Sequence, residues 1–175
     1  MRSNKSEKYH IELAKDVHGR RMFFKTAGIK DNTNTYDINL LRMCMAVISD
    51  GYLGRVNKYG NYELKFNLKK ERDKNELEDI LAKLNWKYVK KYSISHERHG
   101  CTGVYNYYVN STVGAQVSQI IGKNKKIPMW FLSLSPDIMK QLIITYAKFD
   151  GHLDERNNNT NISIYSIDEY NIDML

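Results

Sequence analysis

Apolar residues dominate two segments of the chain, and each segment ends in an Asp-Gly step. The first segment covers residues 40–51 and the second covers residues 141–151. The first is apolar on nearly every face, which predicts a helix buried on several sides. A carboxylate at a helix C-terminus is unfavourable, because the macrodipole already places partial negative charge there. Two such steps therefore suggest a cation between the helix ends, although each Asp-Gly alone is typical of an ordinary turn.

The pattern between these segments predicts two hairpins and an amphipathic helix. Residues 62–68 alternate apolar and polar side chains, as in a strand with one wet face, and residues 52–57 are expected to pair with them. Asp73 and Glu76 fit a capping box at the start of a leucine-rich helix. Two more strands are expected, and they are separated by a polar loop over 95–103. These strands lie near 86–94 and 104–109.

The remaining pattern completes one α/β unit and begins another. Asp37 is expected to cap the first apolar helix, and Ser135-Pro136 is expected to start the second. With a further helix near 113–121, the predicted order is α-β-β-α-β-β-α. After Gly151 the chain begins the same pattern again with a strand at 161–166, and residues 168–175 indicate the first turns of a helix.

The charge of the chain favours a polyanionic partner. The sequence contains 27 Lys and Arg against 20 Asp and Glu, which gives a formal net charge of +7. Nucleic acid fits this charge, and simple solubility is the alternative. Two cysteines are too few for a disulfide framework. No apolar run reaches membrane-spanning length and no signal segment is visible, so a cytoplasmic protein without a membrane partner is expected.

The order of elements, the two Asp-Gly helices and the segment Pro128-Met129-Trp130-Phe131-Leu132 resemble the LAGLIDADG homing endonucleases of the intein and phage type. Met43–Gly51 and Ile143–Gly151 align with the two copies of the motif. The resemblance implies an α+β fold, in which an αββαββα saddle is followed by a truncated second half and the two motif helices pack side by side. The implied divisions are a β-rich lead-in at 1–36, a first half at 37–134, and a second motif helix with the start of the second half at 135–175.

The resemblance also implies a metal-dependent nuclease. In this family the final acidic residue of each motif helix binds metal at the active site, so Asp50 and Asp150 are the implied catalytic residues and metal ligands. Hard oxygen ligands suit Mg²⁺, which can activate a water and stabilise the leaving 3′-oxygen of a phosphodiester. The implied activity is site-specific cleavage of both strands of double-stranded DNA. Lys91 and Arg98 are candidates for a basic residue near the scissile phosphate.

The predicted strands supply candidate DNA contacts, because Lys and Arg bind phosphates and Asn or Arg can read base edges. These candidates are Arg55, Asn57, Lys58, Glu63, Lys65, Asn67, Lys87 and Lys90. A solvated strand face is the alternative for the same residues. His96, His99 and Cys101 are zinc-ligand types, but no fourth ligand is near in sequence, so a polar, DNA-facing loop is the preferred interpretation.

Two other functions compete with the nuclease. One is a DNA- or RNA-binding protein, maturase-like or regulatory, that has kept the saddle and lost cleavage. The other is an inert endonuclease remnant that serves as an interaction domain. The presence of both Asp50 and Asp150 favours the enzyme, whereas the short second half favours the alternatives. Double-stranded DNA is the expected partner, and the sequence leaves open a second chain that completes the fold or a homodimer.

Overall fold

The structure of the protein is a computed structural model. It describes residues 36–55, 62–97, 100–156, 159–164, 168, 170–171 and 174–175. The predicted lead-in up to residue 35 lies outside the described residues, as do Asn57, Lys58, Arg98 and His99. The side chains of Arg55, His96 and Cys101 also lie outside the described part.

The described chain is a mixed α+β fold, as the sequence predicts. Its helices are α1 (Ile38–Ser49), α2 (Glu71–Lys83), α3 (Ser111–Ile121) and α4 (Pro136–Asp150), with a 3-10 helix at Met129–Ser133. Its strands are β1 (Gly51–Arg55), β2 (Tyr62–Leu68), β3 (Tyr88–Glu97), β4 (Gly100–Val109), β5 (Gly151–Arg156) and β6 (Asn159–Ile164). From α1 to α3 the elements follow the predicted αββαββα order.

The first four strands form an antiparallel sheet in the order β1-β2-β4-β3. Alternation along β2 decides which face is covered, because Leu64, Phe66 and Leu68 are buried while Asn67 is exposed. The helices cover the face that carries these three apolar side chains. The other face of the sheet, here called the outer face, carries the polar residues of β2. Strands β5 and β6 form a separate two-stranded sheet.

Helices α1 and α4 form the centre of the core and pack side by side. Seven residues of α1 are buried, which agrees with the prediction of a helix covered on several faces. They are Leu41, Met43, Cys44, Met45, Ala46, Val47 and Ile48. Both predicted N-caps are confirmed. The Asp37 side chain accepts a hydrogen bond from the Asn39 backbone N–H at 2.6 Å, and Ser135 accepts one from Ile138 at 3.4 Å.

The predicted loop over 95–103 is wrong, because strand pairing continues to Glu97 and Gly100. Tyr92 and Ile94 are largely exposed although both belong to β3. At this end of the hairpin a strand does not need the alternating burial on which the sequence prediction depends. The polar composition of the segment was therefore a poor guide to its backbone.

The predicted capping box at the start of α2 is also wrong. The helix begins at Glu71, with Lys70 as an N-cap residue that makes no side-chain capping bond. Asp73 and Glu76 lie inside the helix and are buried. Glu76 accepts hydrogen bonds from both core helices and Asp73 accepts one from Arg72, and these contacts replace the local capping role.

The segment after α4 contains more structure than the sequence predicts. Strand β6 corresponds to the predicted strand at 161–166, whereas β5 was not predicted. Asn171 is buried, and its side-chain oxygen accepts a hydrogen bond from the Ile127 backbone N–H at 3.0 Å. The Tyr170 hydroxyl donates to the Ile127 carbonyl at 3.1 Å. These bonds join the last described residues to the segment before the 3-10 helix. Among the described helices, none has the length and apolar character to cross a membrane.

The glycine of each Asp-Gly step lies where the chain leaves a core helix at very close range. A Cβ added to Gly51 would lie 2.7 Å from the Val47 Cα and 2.8 Å from the Phe66 ring. A Cβ on Gly151 would lie 2.9 Å from the Ala147 Cα and would also overlap the Ser163 carbonyl oxygen. Steric contact therefore requires glycine after each aspartate.

We expect Gly151→Ala to destabilise the protein by about 1–3 kcal/mol, because the new methyl group meets backbone atoms that cannot move freely. Urea unfolding followed by circular dichroism measures this loss. Gly54→Ala is the matched control, since the atoms nearest to its methyl group belong to the exposed ring of Tyr52, which can rotate away. Equal stability of the two variants would contradict this account of the Asp-Gly step.

Candidate metal centre

Asp50 and Asp150 each lie at the end of a core helix, directly before the glycine that begins a strand. Asp50 follows the last residue of α1, Asp150 is the last residue of α4, and a strand begins at the next residue in both cases. The helices run in the same direction, because Arg42 of α1 contacts Thr145 of α4 upstream of the two carboxylates. The charge of Asp150 contributes to a raised pKa at Asp50. The charge of Asp150 therefore acts on Asp50, which indicates that the two helix ends lie near each other.

The Asp50 carboxyl has a strongly shifted pKa. Its pKa rises from an ordinary 3.8 to about 6, first because burial removes water and then because Asp73 and Asp150 repel the charged form. Asp50 is nevertheless an exposed residue, so solvent reaches this partly desolvated carboxyl. The positive charges of Lys70 and Lys125 act in the opposite direction. A cation placed here would relieve both the desolvation and the repulsion.

Burial raises the pKa of Asp150 and of Asp73 as well, and Lys70 opposes the shift at both carboxyls. Since Lys70 also lowers the pKa of Asp50, one exposed lysine acts on all three carboxylates. Lys70 lies in the short connection between β2 and α2. This connection therefore lies beside the ends of both core helices.

Lys125 reaches the end of α1 from the turn after α3. Its ammonium donates hydrogen bonds to the Gly51 carbonyl at 2.9 Å and to the Val47 carbonyl at 3.4 Å. Burial lowers the pKa of Lys125, and the charge of Asp50 opposes this shift. The backbone of Lys125 has a φ of 51°, which is uncommon for a residue other than glycine. Such a backbone is kept when the surrounding contacts fix it, and these carbonyl bonds are contacts of that kind.

Arg72 makes the corresponding contact at the second Asp-Gly step. Its guanidinium donates to the Gly151 carbonyl at 3.4 and 3.5 Å and to the Asp73 carboxylate at 3.1 Å. Each glycine carbonyl thus accepts a hydrogen bond from a cation that belongs to a distant segment. These cations partly offset the negative potential at the C-termini of the two core helices.

The residues at this site suit a hydrated magnesium ion held by few protein ligands. Mg²⁺ typically keeps several waters and binds one or two carboxylates together with substrate phosphates. Asp50 and Asp150 could supply those carboxylates. Within the described ranges, no three His, Cys, Asp or Glu side chains converge closely enough to hold a metal ion by themselves.

The structure does not bring Lys91 to the carboxylates. Lys91 pairs with Asn106 of β4, which pairs with Asn67 of β2, so Lys91 lies three strands from β1. At about 4.8 Å per strand, this separation is about 14 Å. The basic groups that influence Asp50 are instead Lys70 and Lys125.

Several predicted DNA contacts lie together on the outer face of the sheet. Lys65 pairs in register with Tyr52 and Tyr108, whose side chains are 49% and 40% exposed. The Lys65 ammonium lies 4.3 Å from the centre of the Tyr52 ring and 3.5 Å from the Glu63 carboxylate. Asn67 is exposed on the same face, beside Asn106. This face therefore combines aromatic rings, amides and a lysine.

Lys90 and Lys87 do not belong to this group. Lys90 lies on the helix-covered side of the sheet, because it pairs in register with the buried Tyr107. Its ammonium forms a 2.7 Å ion pair with Glu78 of α2, which also raises the pKa of Lys90. The expectation that Lys90 extends the outer face is wrong. Lys87 is exposed but precedes β3, whereas the sequence placed it within a strand.

Sequence reasoning missed the roles of Lys70, Arg72, Asp73 and Lys125. Lys70 and Arg72 lie 20 and 22 positions after Asp50, and Lys125 belongs to a run of basic residues after α3. One feature of the sequence could have indicated these roles. Each of these charged residues stands directly beside the start or the end of a predicted helix. Comparison with protein-family models gives no match for this chain, and comparison with curated proteins gives no significant match.

We expect Asp50→Asn to stabilise the folded protein above pH 6. An acid whose pKa is higher in the folded state than in the unfolded state contributes stability that is complete at low pH. For Asp50 this contribution is lost as the pH rises from about 4 through about 6. Asparagine carries no charge and avoids that loss. A shift of two pKa units corresponds to about 3 kcal/mol, and solvent screening reduces the expected gain to the order of 1 kcal/mol.

Urea unfolding between about pH 4 and pH 8 measures this difference. The increase in the free energy of unfolding caused by Asp50→Asn should appear near pH 8 and shrink towards pH 4. Mg²⁺ should stabilise the unaltered protein more than the variant. Asp137→Asn is the control, because Asp137 is an exposed residue in the first turn of α4, far along the helix from Asp150. A gain that does not vary with pH would overturn the interpretation of Asp50.

Proposed function

We propose that this protein is a Mg²⁺-dependent, site-specific DNA endonuclease with a LAGLIDADG-type saddle. The observation that carries the proposal is the pairing of Asp50 and Asp150 at adjacent ends of two core helices. Placing partly desolvated carboxylates near one another and at the negative ends of helices is costly, and a bound divalent cation would offset this cost. The αββαββα order and the net positive charge of the chain are consistent with the proposal.

The proposed reaction is hydrolysis of a phosphodiester, in which water attacks phosphorus and the bond to the 3′-oxygen breaks. Asp50 and Asp150 would hold Mg²⁺, which supplies an acidified water and charge stabilisation when bound. Lys70 acts electrostatically on both carboxylates and is exposed, so it is our choice for the residue that meets the scissile phosphate. Lys125 is half-buried and donates to backbone carbonyls, which suits an orienting role at the end of α1.

The outer face of the sheet is the proposed DNA-binding surface. Lys65 can contact phosphates, while Asn67 and Asn106 can form hydrogen bonds with base edges. Lys91 belongs to this surface, since its in-register partner is Asn106. We therefore propose that Lys91 contacts DNA away from the site of cleavage.

We expect Asp50→Asn and Asp150→Asn each to lose cleavage by at least about 100-fold while DNA binding is retained. Loss of a residue that only supports a metal ligand already costs 10- to 100-fold, and a ligand should cost at least as much. A DNA target is first selected by binding from a pool of randomised duplexes. Cleavage of the selected duplex in Mg²⁺ and Mn²⁺ is then followed on denaturing gels.

Asp137→Asn is again the control, because it removes the same carboxylate from the opposite end of α4 and should cleave normally. Selected DNA that binds tightly but is not cut in either metal would contradict the nuclease proposal. That outcome would instead assign the chain to the DNA-binding class without cleavage.

We expect Lys65→Ala to weaken binding to duplex DNA of any sequence and to reduce its salt dependence. Losing one phosphate contact lowers the slope of log Kobs against log salt concentration by about 1. Lys90→Ala is the matched control, since this lysine lies on the helix-covered side and pairs with Glu78. Fluorescence anisotropy at several salt concentrations gives both slopes. Equal slopes for the two variants would place the DNA on another surface.

A further inference from the structure

Behind the candidate metal centre, a buried carboxylate joins three of the four α-helices in the described part of the chain. Glu76 of α2 has a side chain that is only 5% exposed. It accepts a 2.7 Å hydrogen bond from Arg42 of α1 and a 2.6 Å hydrogen bond from Lys148 of α4. The Thr145 hydroxyl of α4 also donates to it at 3.2 Å. Glu76 therefore contacts both core helices through charged or polar bonds.

Arg42 extends this network, here called the Glu76 cluster. Its Nε donates to the Thr145 hydroxyl at 3.4 Å, and its guanidinium also binds Asn39 and Asp79 at 2.9 Å. Although burial alone would raise the pKa of Glu76, the bonds from Lys148 and Arg42 hold it below the ordinary value. Glu76 is thus an ionised group that keeps two cations in fixed directions.

Such a cluster has a geometric effect that apolar packing does not supply. The buried apolar residues of α1 and α4, such as Ala46 and Ala147, attract one another without a preferred direction. Hydrogen bonds to a buried carboxylate depend on distance and angle. Buried ion pairs are weak evidence for stability, but they can select one arrangement among similar ones.

The position of the cluster links it to the two carboxylates at the helix ends. Lys148 is two residues before Asp150, and Arg42 is eight residues before Asp50 on a continuous helix. A slide of α1 along α4 by one residue would move the carboxylates by about 1.5 Å relative to each other. Ligand distances to Mg²⁺ vary by far less than this. The relative position of the two helices must therefore be fixed if both carboxylates bind one ion.

We infer that Glu76 is a positioning residue that fixes the register of α1 against α4 and thereby the separation of Asp50 from Asp150. The expected effect of Glu76 on metal affinity rests on the function proposed above. The register of the two helices can be measured without metal, so the positioning role of Glu76 and the proposed metal site can be disproved separately.

The test compares Glu76→Gln with Asp79→Asn. The first removes the charge that both core helices share, and the second removes a partner of Arg42 that has no bond to α4 in the described contacts. Tyr52→Cys and His152→Cys, at two exposed positions and in a Cys101→Ser background, carry spin labels. Electron paramagnetic resonance of these labels reports the separation of the two helix ends. Mn²⁺ affinity is measured on the unlabelled proteins.

We expect Glu76→Gln to broaden or shift the distance distribution and to weaken Mn²⁺ binding by 10- to 100-fold, as for a residue that supports a ligand. Asp79→Asn should leave the distance unchanged and Mn²⁺ affinity within about two-fold, because Glu76 still accepts hydrogen bonds from both α1 and α4. Leu77→Ala, a core variant in the same helix, controls for lost stability and should also keep the distance. If Glu76→Gln does not fold, Lys148→Gln removes one of the two charged hydrogen bonds to Glu76 and should cause a smaller change in the distance distribution.

An unchanged distance distribution in folded Glu76→Gln would overturn the inference. A changed distribution together with no Mn²⁺ binding by the unaltered protein would support Glu76 and overturn the proposed metal site. A changed distribution with unchanged Mn²⁺ affinity would show that the register does not control the metal site, which also overturns the link between them.

Discussion

The side-by-side packing of α1 and α4 is the constraint on which the candidate site depends. The two helices end side by side, each at an aspartate. Repulsion between the carboxylates and the negative ends of the helix dipoles therefore oppose this packing. Burial of α1 stabilises it, because each large apolar side chain removed from water contributes about 1.5–3 kcal/mol. The same packing requires glycine at positions 51 and 151, where the chain turns away from each helix.

Helix α2 connects this packing to the rest of the structure. Its start brings Lys70 and Arg72 to the ends of the core helices, and its second turn holds both helices through Glu76. On its far side Glu78 binds Lys90 and the hydroxyl of the buried Tyr107 in the sheet. One helix therefore joins the carboxylates, the core and the sheet. A displacement of α2 would therefore alter its contacts with the carboxylates, with the core helices and with the sheet.

The sequence predicted the parts of this structure that local periodicity determines. Alternation in β2, the apolar faces of α1 and the caps at Asp37 and Ser135 are properties of short segments. The extent of the β3–β4 hairpin was missed because the described side chains of β3, from Tyr88 to Ile94, are exposed on both faces of the strand. The cations at the site were missed for another reason. Lys125 meets Gly51 across 74 residues of chain, and only the folded topology brings them together.

The two Asp-Gly steps differ in backbone geometry, because Asp50 caps α1 with a φ of −131° whereas Asp150 is the last helical residue of α4. They also differ in electrostatic environment, and both differences limit how symmetric any shared site can be. The pKa of Asp50 reaches about 6, and Asp73, Lys70 and Lys125 all act on it, whereas Lys70 is the charge that opposes the shift at Asp150. A cation that binds between the carboxylates therefore relieves more unfavourable energy at Asp50. In the proposed DNA complex, the two strands would meet chemically different surroundings, and the strand nearer to Asp50 would lie beside the carboxylate whose pKa is more strongly raised.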